Sequence, residues 1–398
     1  MNAGARLACC AWLAATVVVL FALAPSVAQA QPIAGVARAQ VFEAGTDYQG
    51  LVQGIAFDRS GDAWMATRQT LYRVQGGRVQ PVAAAGSKGT QLALAPGGRF
   101  YAWLVPDNVP GGLYTVQLVQ IPDKPIAELR LPDYPYGFGA LYLGGAGQLI
   151  VTVTPLDNRE GIGNAFQYFF WSSKGRLRSS VVLPGRRVGV VDAGGTALLL
   201  LGESDAIAFD SDGRKLWKLD GSFRKAALAA NGKVALLNPS QPNAIGEVHV
   251  YRKGTVTRVA MSSPVHDLAL AADGSGGAVA IDRGELAFLT PRSCEHGQCQ
   301  LRPVSSLPVT GTFFISEMRF VDAKTLAVGV IQRTGAGPPY TYPAGGILAV
   351  TDAGRVAFNS PVTLVQPAPG RPLIDVTYGV RAFAAHTPHR ALFVDLAP

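Results

Sequence analysis

The chain has 398 residues, 48% of them hydrophobic and only 16% charged, against about a quarter charged in an ordinary globular protein. That balance excludes an intrinsically disordered chain, which combines low hydrophobicity with high net charge. The formal charge is +8; Arg6 is the only charged residue ahead of residue 31, so the remainder carries 34 basic and 27 acidic residues, a net +7. This excess is spread out, with no basic run interleaved with aromatics, so it lacks the footprint of a nucleic-acid binder and gives only a weak preference for an anionic partner or membrane surface.

Residues 1–30 read as a bacterial-type secretory signal. Arg6 supplies the positive start and residues 7–24 an apolar stretch; Pro25 breaks it, and Ala28-Gln29-Ala30 gives a small-x-small cleavage pattern before Gln31. An uncleaved anchor is the competing reading, since the stretch is long enough to span a bilayer. Cys9 and Cys10 stand at the front of the stretch, not after it where a lipid-attachment cysteine belongs. The mature part, residues 31–398, is expected as a single domain, either periplasmic or secreted.

One unit recurs through that part: an alternating apolar segment, a tight turn that usually bears Gly, and a second apolar segment. The copies are GIAFDRSGDAWMAT from Gly54, QLALAPGGRFYAWL from Gln91, ALYLGGAGQLIVTV from Ala140, VGVVDAGGTALLLL from Val188, AALAANGKVALL from Ala226, DLALAADGSGGAVAI from Asp267, EMRFVDAKTLAVGV from Glu317 and a degenerate DVTYGVRAFAAHT from Asp375. Each reads as two short strands joined by a hairpin. Two further β-like segments follow each copy, TLYRVQ and GRVQPV in the first, which makes four strands per unit at a spacing of about 46 residues. A lone four-stranded sheet cannot bury both faces, so such units stack around an axis. The expectation is an all-β, eight-bladed β-propeller, with seven blades as runner-up because the last unit lacks its turn Gly. Residues 36–44 would supply the outer strand of the last blade and Arg390–Leu396 its third strand, closing the ring.

The first unit resembles the repeat of two-component-regulator propellers and the related NHL repeats, through Asp58, Gly61, Trp64, Thr67, Leu71, Tyr72 and Gly77. Residues 206–220 resemble a quinoprotein (PQQ-like) repeat, in which Ala208, Asp210, Gly213 and Trp217 fit the pattern that docks a Trp on a neighbouring blade. These resemblances imply a fold and no activity. Quinoprotein enzymes keep an adjacent Cys pair in the mature site, whereas the only Cys-Cys here lies in the signal, so no cofactor is expected. The non-enzymatic scaffold of the outer-membrane assembly machine is the nearer analogy, although that protein is a lipoprotein. The site constellations of streptogramin-lyase-like and gluconolactonase-like propellers do not map onto these residues.

If strands A to D run outward from the axis, the A–B and C–D turns share one face, and the B–C and D–A connections share the other. The A–B turns are short, and four B–C connections are long: 105–112, 155–165, 239–246 and 332–345. Long loops on a rigid scaffold are where binding concentrates. Just ahead of the inner strands, Tyr48, Tyr134, Tyr136, Arg186, Arg187, Arg224, Lys225, His266 and Glu317 would rim the channel. They form either a mildly positive funnel or a set of cross-blade hydrogen bonders.

Tyr340 and Tyr342, in a Pro-rich stretch, offer protein-contact side chains or a self-packed lid. Asp157, Asn158 and Glu160 are the densest oxygen cluster, three candidates where calcium takes six to eight ligands. Cys294 and Cys299 read as a disulfide stapling a C–D loop tip, with a metal site around His296 as the alternative. His266 and Glu317 are the only weak catalytic candidates; His249 reads as structural, and His386 and His389 as loop residues. Trp64, Trp103, Trp171 and Trp217 read as blade packing. The functional expectation is a non-enzymatic exported scaffold that binds a protein or envelope component through the B–C/D–A face. The alternatives are a hydrolase or lyase acting on a small molecule at the channel mouth and, third, an extracytoplasmic sensor module.

Overall fold

The structure, a computed structural model, describes residues 36–43, 50–58, 60–76, 78–84, 91–95, 97–106, 114–131, 136–155, 165–185, 187–191, 196–229, 232–281, 285–296, 299–304, 307, 312–334, 345–354, 356–359, 375–378, 382–387 and 389–396. Residues 1–30, read above as a signal, lie outside them.

Why the second strand of each unit is so apolar is plain from its surroundings. In Ala197–Leu201, ALLLL, every side chain is buried. Leu198 and Leu200 face a cluster with Ile150, Tyr168 and Phe170, whereas Ala197, Leu199 and Leu201 face one with Phe223, Ala235 and Leu237. Alternate residues point to opposite faces of a strand, so a strand sandwiched between two other sheets must be apolar throughout. Burial contributes about 1.5–3 kcal/mol for each such Leu.

The result is eight four-stranded antiparallel sheets. Blades 1 to 7 span residues 52–84, 91–130, 136–184, 188–220, 223–260, 265–304 and 312–359. Blade 8 takes Asp375–Tyr378, Ala382–His386 and Arg390–Leu396 from the end of the chain, and its outer strand is Val36–Glu43. The ring is therefore eight-bladed, and its two chain ends are zipped together from Val36 against Leu396 to Glu43 against Arg390, with a Glu43–Arg390 ion pair at 2.9 Å. The degenerate last unit also forms a blade, with residues 379–381 between its first two strands, and so removes the unmet edge that a seven-bladed remainder would leave. First strands touch first strands around the axis, for example those of blades 5, 6, 7 and 8, so they are the innermost. Buried clusters fill the seams of blades 1–2, 2–3, 3–4, 4–5, 5–6, 6–7 and 8–1. Among the described residues, no helix is long and apolar enough to cross a membrane.

Two features tie outer strands to the next blade. Trp217 stacks on Tyr251 of blade 5 with ring centroids 4.2 Å apart, and its indole N–H donates to the Gly232 carbonyl. Gly213 turns at φ +78° against blade 3, where a Cβ would stand 2.0 Å from Ser179 Oγ and 2.7 Å from the Phe170 ring. Ser179 Oγ in turn donates to the Asp212 carbonyl at 2.7 Å. Both the backbone conformation and the space demand Gly at this turn. Gly213→Ala should therefore lower stability by about 2–4 kcal/mol, read as a shifted midpoint in urea unfolding of residues 31–398; an unchanged midpoint would contradict this seam.

Candidate functional site

One end of the propeller carries the long connections. Strand ends leave 107–113, 156–164, 240–246 and 334–344 between second and third strands, against two or three residues in blades 1, 4, 6 and 8. The other end carries the tight turns, several built on an Asp that accepts backbone N–H groups of its own turn. Asp58 accepts from Ser60 and Asp62, at 2.8 and 3.0 Å, and also from the Trp64 indole at 2.9 Å.

The Cys294–Cys299 disulfide lies at this tight-turn end, between the third and fourth strands of blade 6. Cys294 is buried, and the Thr257 hydroxyl donates to its carbonyl at 2.9 Å. Among the described residues no group of three or more His, Cys, Asp or Glu is placed to hold a metal ion. A cavity of about 60 Å³, lined by Gln40, Asp62, Phe393 and Asp395 among others, sits at the seam of blades 8 and 1.

At the long-loop end the inner strands are irregular. In five blades the register slips by one residue near the strand entry, leaving Gln53, Gly139, Arg224, His266 and Ser316 as the extra residues of β-bulges. A bulge breaks the alternation of side chains and re-aims them. For this reason several rim candidates sit within the inner strands rather than ahead of them: Arg224 and Lys225 in Phe223–Leu228, His266 in Val265–Leu270, and Glu317 well inside Thr312–Phe320.

These side chains work between blades. Arg224 donates to the Asn238 side chain and to the Val265 carbonyl of blade 6. Fully buried Asn238 donates onward to Ile245 and Glu247 carbonyls at 3.1 and 2.8 Å, holding the ends of its B–C connection. Lys225 lies 3.6 Å from Asp267 of blade 6, which also accepts the Met318 N–H of blade 7 at 3.0 Å. One buried carboxylate thus joins three blades. Burial pushes its pKa up to about 6; Lys225 opposes the rise and nearby Glu317 adds to it. Arg187 is buried in an ion pair with Asp205, both within blade 4. Gly202 lies close beside this pair: a Cβ there would stand 2.7 Å from the Arg187 guanidinium and 2.9 Å from Asp205 Oδ1.

His266 is half-buried, edge-on to Phe314 of blade 7 at 6.0 Å, and Glu317 pairs with Arg319 at 3.0 Å. His249 lies 3.3 Å from Glu247, its pKa lowered by burial. His386 is not a loop residue: it ends the second strand of blade 8, and burial holds its pKa down to about 4. All four Trp residues singled out in strands are buried. Tyr136 heads the inner strand of blade 3; Tyr48, Tyr134, Arg186, Asp157, Asn158, Glu160, Tyr340 and Tyr342 lie outside the described residues. The structure thus brings Lys225 and Glu317 around Asp267, a residue that sequence reasoning passed over, while His266 packs on Phe314 and Arg187 stands apart with Asp205. The available signal was an acid inside an apolar inner strand, VHDLAL, where only a partnered carboxylate is tolerated.

Comparison with solved structures shows the fold. Saccharomyces cerevisiae Sqt1 superposes with a TM-score of 0.55 at 10% identity, over 90% of this chain and 98% of that one. The C-terminal WD40 domain of Sif2 superposes with a TM-score of 0.56 at 11% identity, over 92% and 99%. No protein-family profile matches the chain, and no curated protein matches it.

The raised pKa of Asp267 has a thermodynamic consequence. A carboxyl that binds its proton more tightly when folded favours folding at low pH, so stability falls as pH rises between about 4 and 6. His386, depressed to about 4, contributes with the opposite sign but is common to wild type and variant. Asp267→Asn should match wild type near pH 4 and exceed it near pH 7 by on the order of 2 kcal/mol, measured by denaturant unfolding at each pH; a constant difference across the range would contradict the assignment.

Proposed function

We propose that residues 31–398 form an exported, non-enzymatic propeller scaffold that binds a protein or cell-envelope component through the B–C/D–A face. The observation that carries this reading is a division of labour at that end. Rim cations are engaged by the protein's own chain, Arg187 by Asp205, Arg224 by Asn238 and Val265, Lys225 by Asp267, while four long connections emerge from the same end. A rigid rim with variable loops is the arrangement of a binding surface. Export to the periplasm or beyond follows from the signal pattern of residues 1–30. The single-blade resemblances to PQQ-like and NHL repeats support blade packing, as Trp217 illustrates, and carry no activity.

A second reading, a hydrolase or lyase at the channel mouth, draws on the buried Asp267, whose pKa is raised, with Glu317 nearby, since perturbed carboxyls gather at functional sites. The two readings part in one experiment: crosslinking of the tagged mature protein in its native envelope, with bound chains identified by mass spectrometry. The scaffold reading expects a partner that is lost when Tyr340 and Tyr342 become Ala and kept when Lys233, at the tight-turn end, becomes Ala. Either no partner above an untagged control, or one lost only with Lys233→Ala, would overturn the chosen face.

A further inference from the structure

The turns that lead into the outer strands of blades 3 and 4 hold five basic residues, Lys174, Arg176, Arg178, Arg214 and Lys215, against two acids, Asp210 and Asp212. Residues 172–178 and 210–215 thus carry a net +3 of the +7 carried by residues 31–398. All five cations are exposed. The two acids are occupied locally. Asp210 accepts the backbone N–H groups of Asp212 and Arg214 at 2.9 Å each, and Asp212 pairs with Arg178 at 3.6 Å. Among the described residues no carboxylate pairs with Lys174, Arg176, Arg214 or Lys215. Like charges held together on a rigid scaffold repel, and an anionic partner relieves that repulsion.

Both turns stand at the tight-turn end, opposite the four long connections, and contacts between the blades make them one surface. Arg178 of blade 3 reaches Asp212 of blade 4, Ser179 Oγ donates to the Asp212 carbonyl at 2.7 Å, and Gly213 packs against Phe170. Two large apolar side chains stand exposed among the cations, Leu177 at 52% and Leu216 at 41%. Leu177 follows Arg176 in the chain, and Leu216 follows Lys215. The cleft between the two blades at this end, lined by Gln148, Thr196 and Ser211 among others, has a volume of about 10 Å³. That is room for one water, so the cations and the Leu side chains are set on two turns rather than around a pocket.

We propose that the tight-turn end of blades 3 and 4 docks on an anionic lipid surface, with Leu177 and Leu216 entering the headgroup region. Exposed apolar side chains flanked by Lys and Arg are what a lipid–water interface takes up: the apolar groups enter the headgroup boundary and the cations meet anionic headgroups. A nucleic acid is met with exposed aromatics on which bases stack, whereas the aromatics here, Phe170, Trp171 and Trp217, are buried. A protein partner is met through complementary shape; a fluid lipid surface needs none, and two turns without a pocket suffice. The docking surface is independent of the scaffold reading and would stand if that reading failed. Docked in this way, the propeller turns its long-loop end away from the membrane.

The test is cosedimentation of residues 31–398 with vesicles of phosphatidylglycerol and phosphatidylcholine in equal parts, against phosphatidylcholine alone, from about 20 to about 200 mM sodium chloride. Wild type should bind the anionic vesicles, less tightly as salt rises, and leave the neutral ones. Arg176→Gln with Lys215→Gln should weaken binding about twentyfold, since each cation near an anionic surface contributes about fivefold. Leu177→Ser with Leu216→Ser should weaken it severalfold. These positions are exposed, so unchanged midpoints in urea unfolding show that the variants fold. Arg78→Gln with Lys324→Gln, exposed cations of blades 1 and 7, removes the same charge elsewhere and should cost far less. No binding at low salt, or equal binding to neutral vesicles, would overturn the proposal. Equal loss from the two charge pairs would overturn it as well, because net charge alone would then drive binding. So would unchanged binding of the Leu variant, or crosslinks from positions 176 and 215 to an acidic protein by a chain that ignores vesicles.

Discussion

Everything in this molecule depends on the burial of both faces of each sheet. A four-stranded sheet with two apolar faces has no stable existence alone, so every blade needs a neighbour on each side, and the requirement ends only when the ring returns on itself. Leu199 of blade 4 is covered because Ala235 and Leu237 of blade 5 lie over it, and the same holds at each described seam. The strand Val36–Glu43 is where this chain of dependence is closed. It completes blade 8, whose Phe393 and Ala384 then cover Met65 and Phe57 of blade 1.

The polar groups follow the same logic. A ring of packed blades leaves few ways to place charges near its axis, and several of those described there are answered from a neighbouring blade. Asp267 takes Lys225 from one neighbour and the Met318 N–H from the other; Arg224 reaches the Val265 carbonyl. These contacts act as pins between blades rather than as an open field for a charged ligand. The same end carries the four long connections, and this is the physical basis for proposing it as the binding side.

Much of the architecture was legible because its signals are local. The apolar-turn-apolar units mark the inner hairpins, and Arg390–Leu396 and residues 36–44 were recognisable as strands in need of partners. The number of blades turned on the unit from Asp375, whose short first strand, DVTY, is less apolar than those of the other units. The rim was less legible because β-bulges depend on pairing register, which no single strand reveals: His266 and Asp267 look like alternating neighbours in VHDLAL, and only the partner strand Gly277–Ile281 shows that His266 is the extra residue. Arg187 reads as one of several loop cations until Gly202 and Asp205, fifteen and eighteen positions on, close around it.

The central claim is that the ring is one cooperative body closed by Val36–Glu43. Native-state hydrogen exchange of residues 31–398 tests it most directly, since it reads the opening free energy of each strand. The account predicts that amides paired within the closing strand, Ala39 to Phe42, exchange only with global unfolding, at the same free energy as Leu199 and Leu236 in the blade interiors. Exchange of the closing strand faster by orders of magnitude, with Leu199 and Leu236 still protected, would show that the ring stands without its clasp and contradict the account.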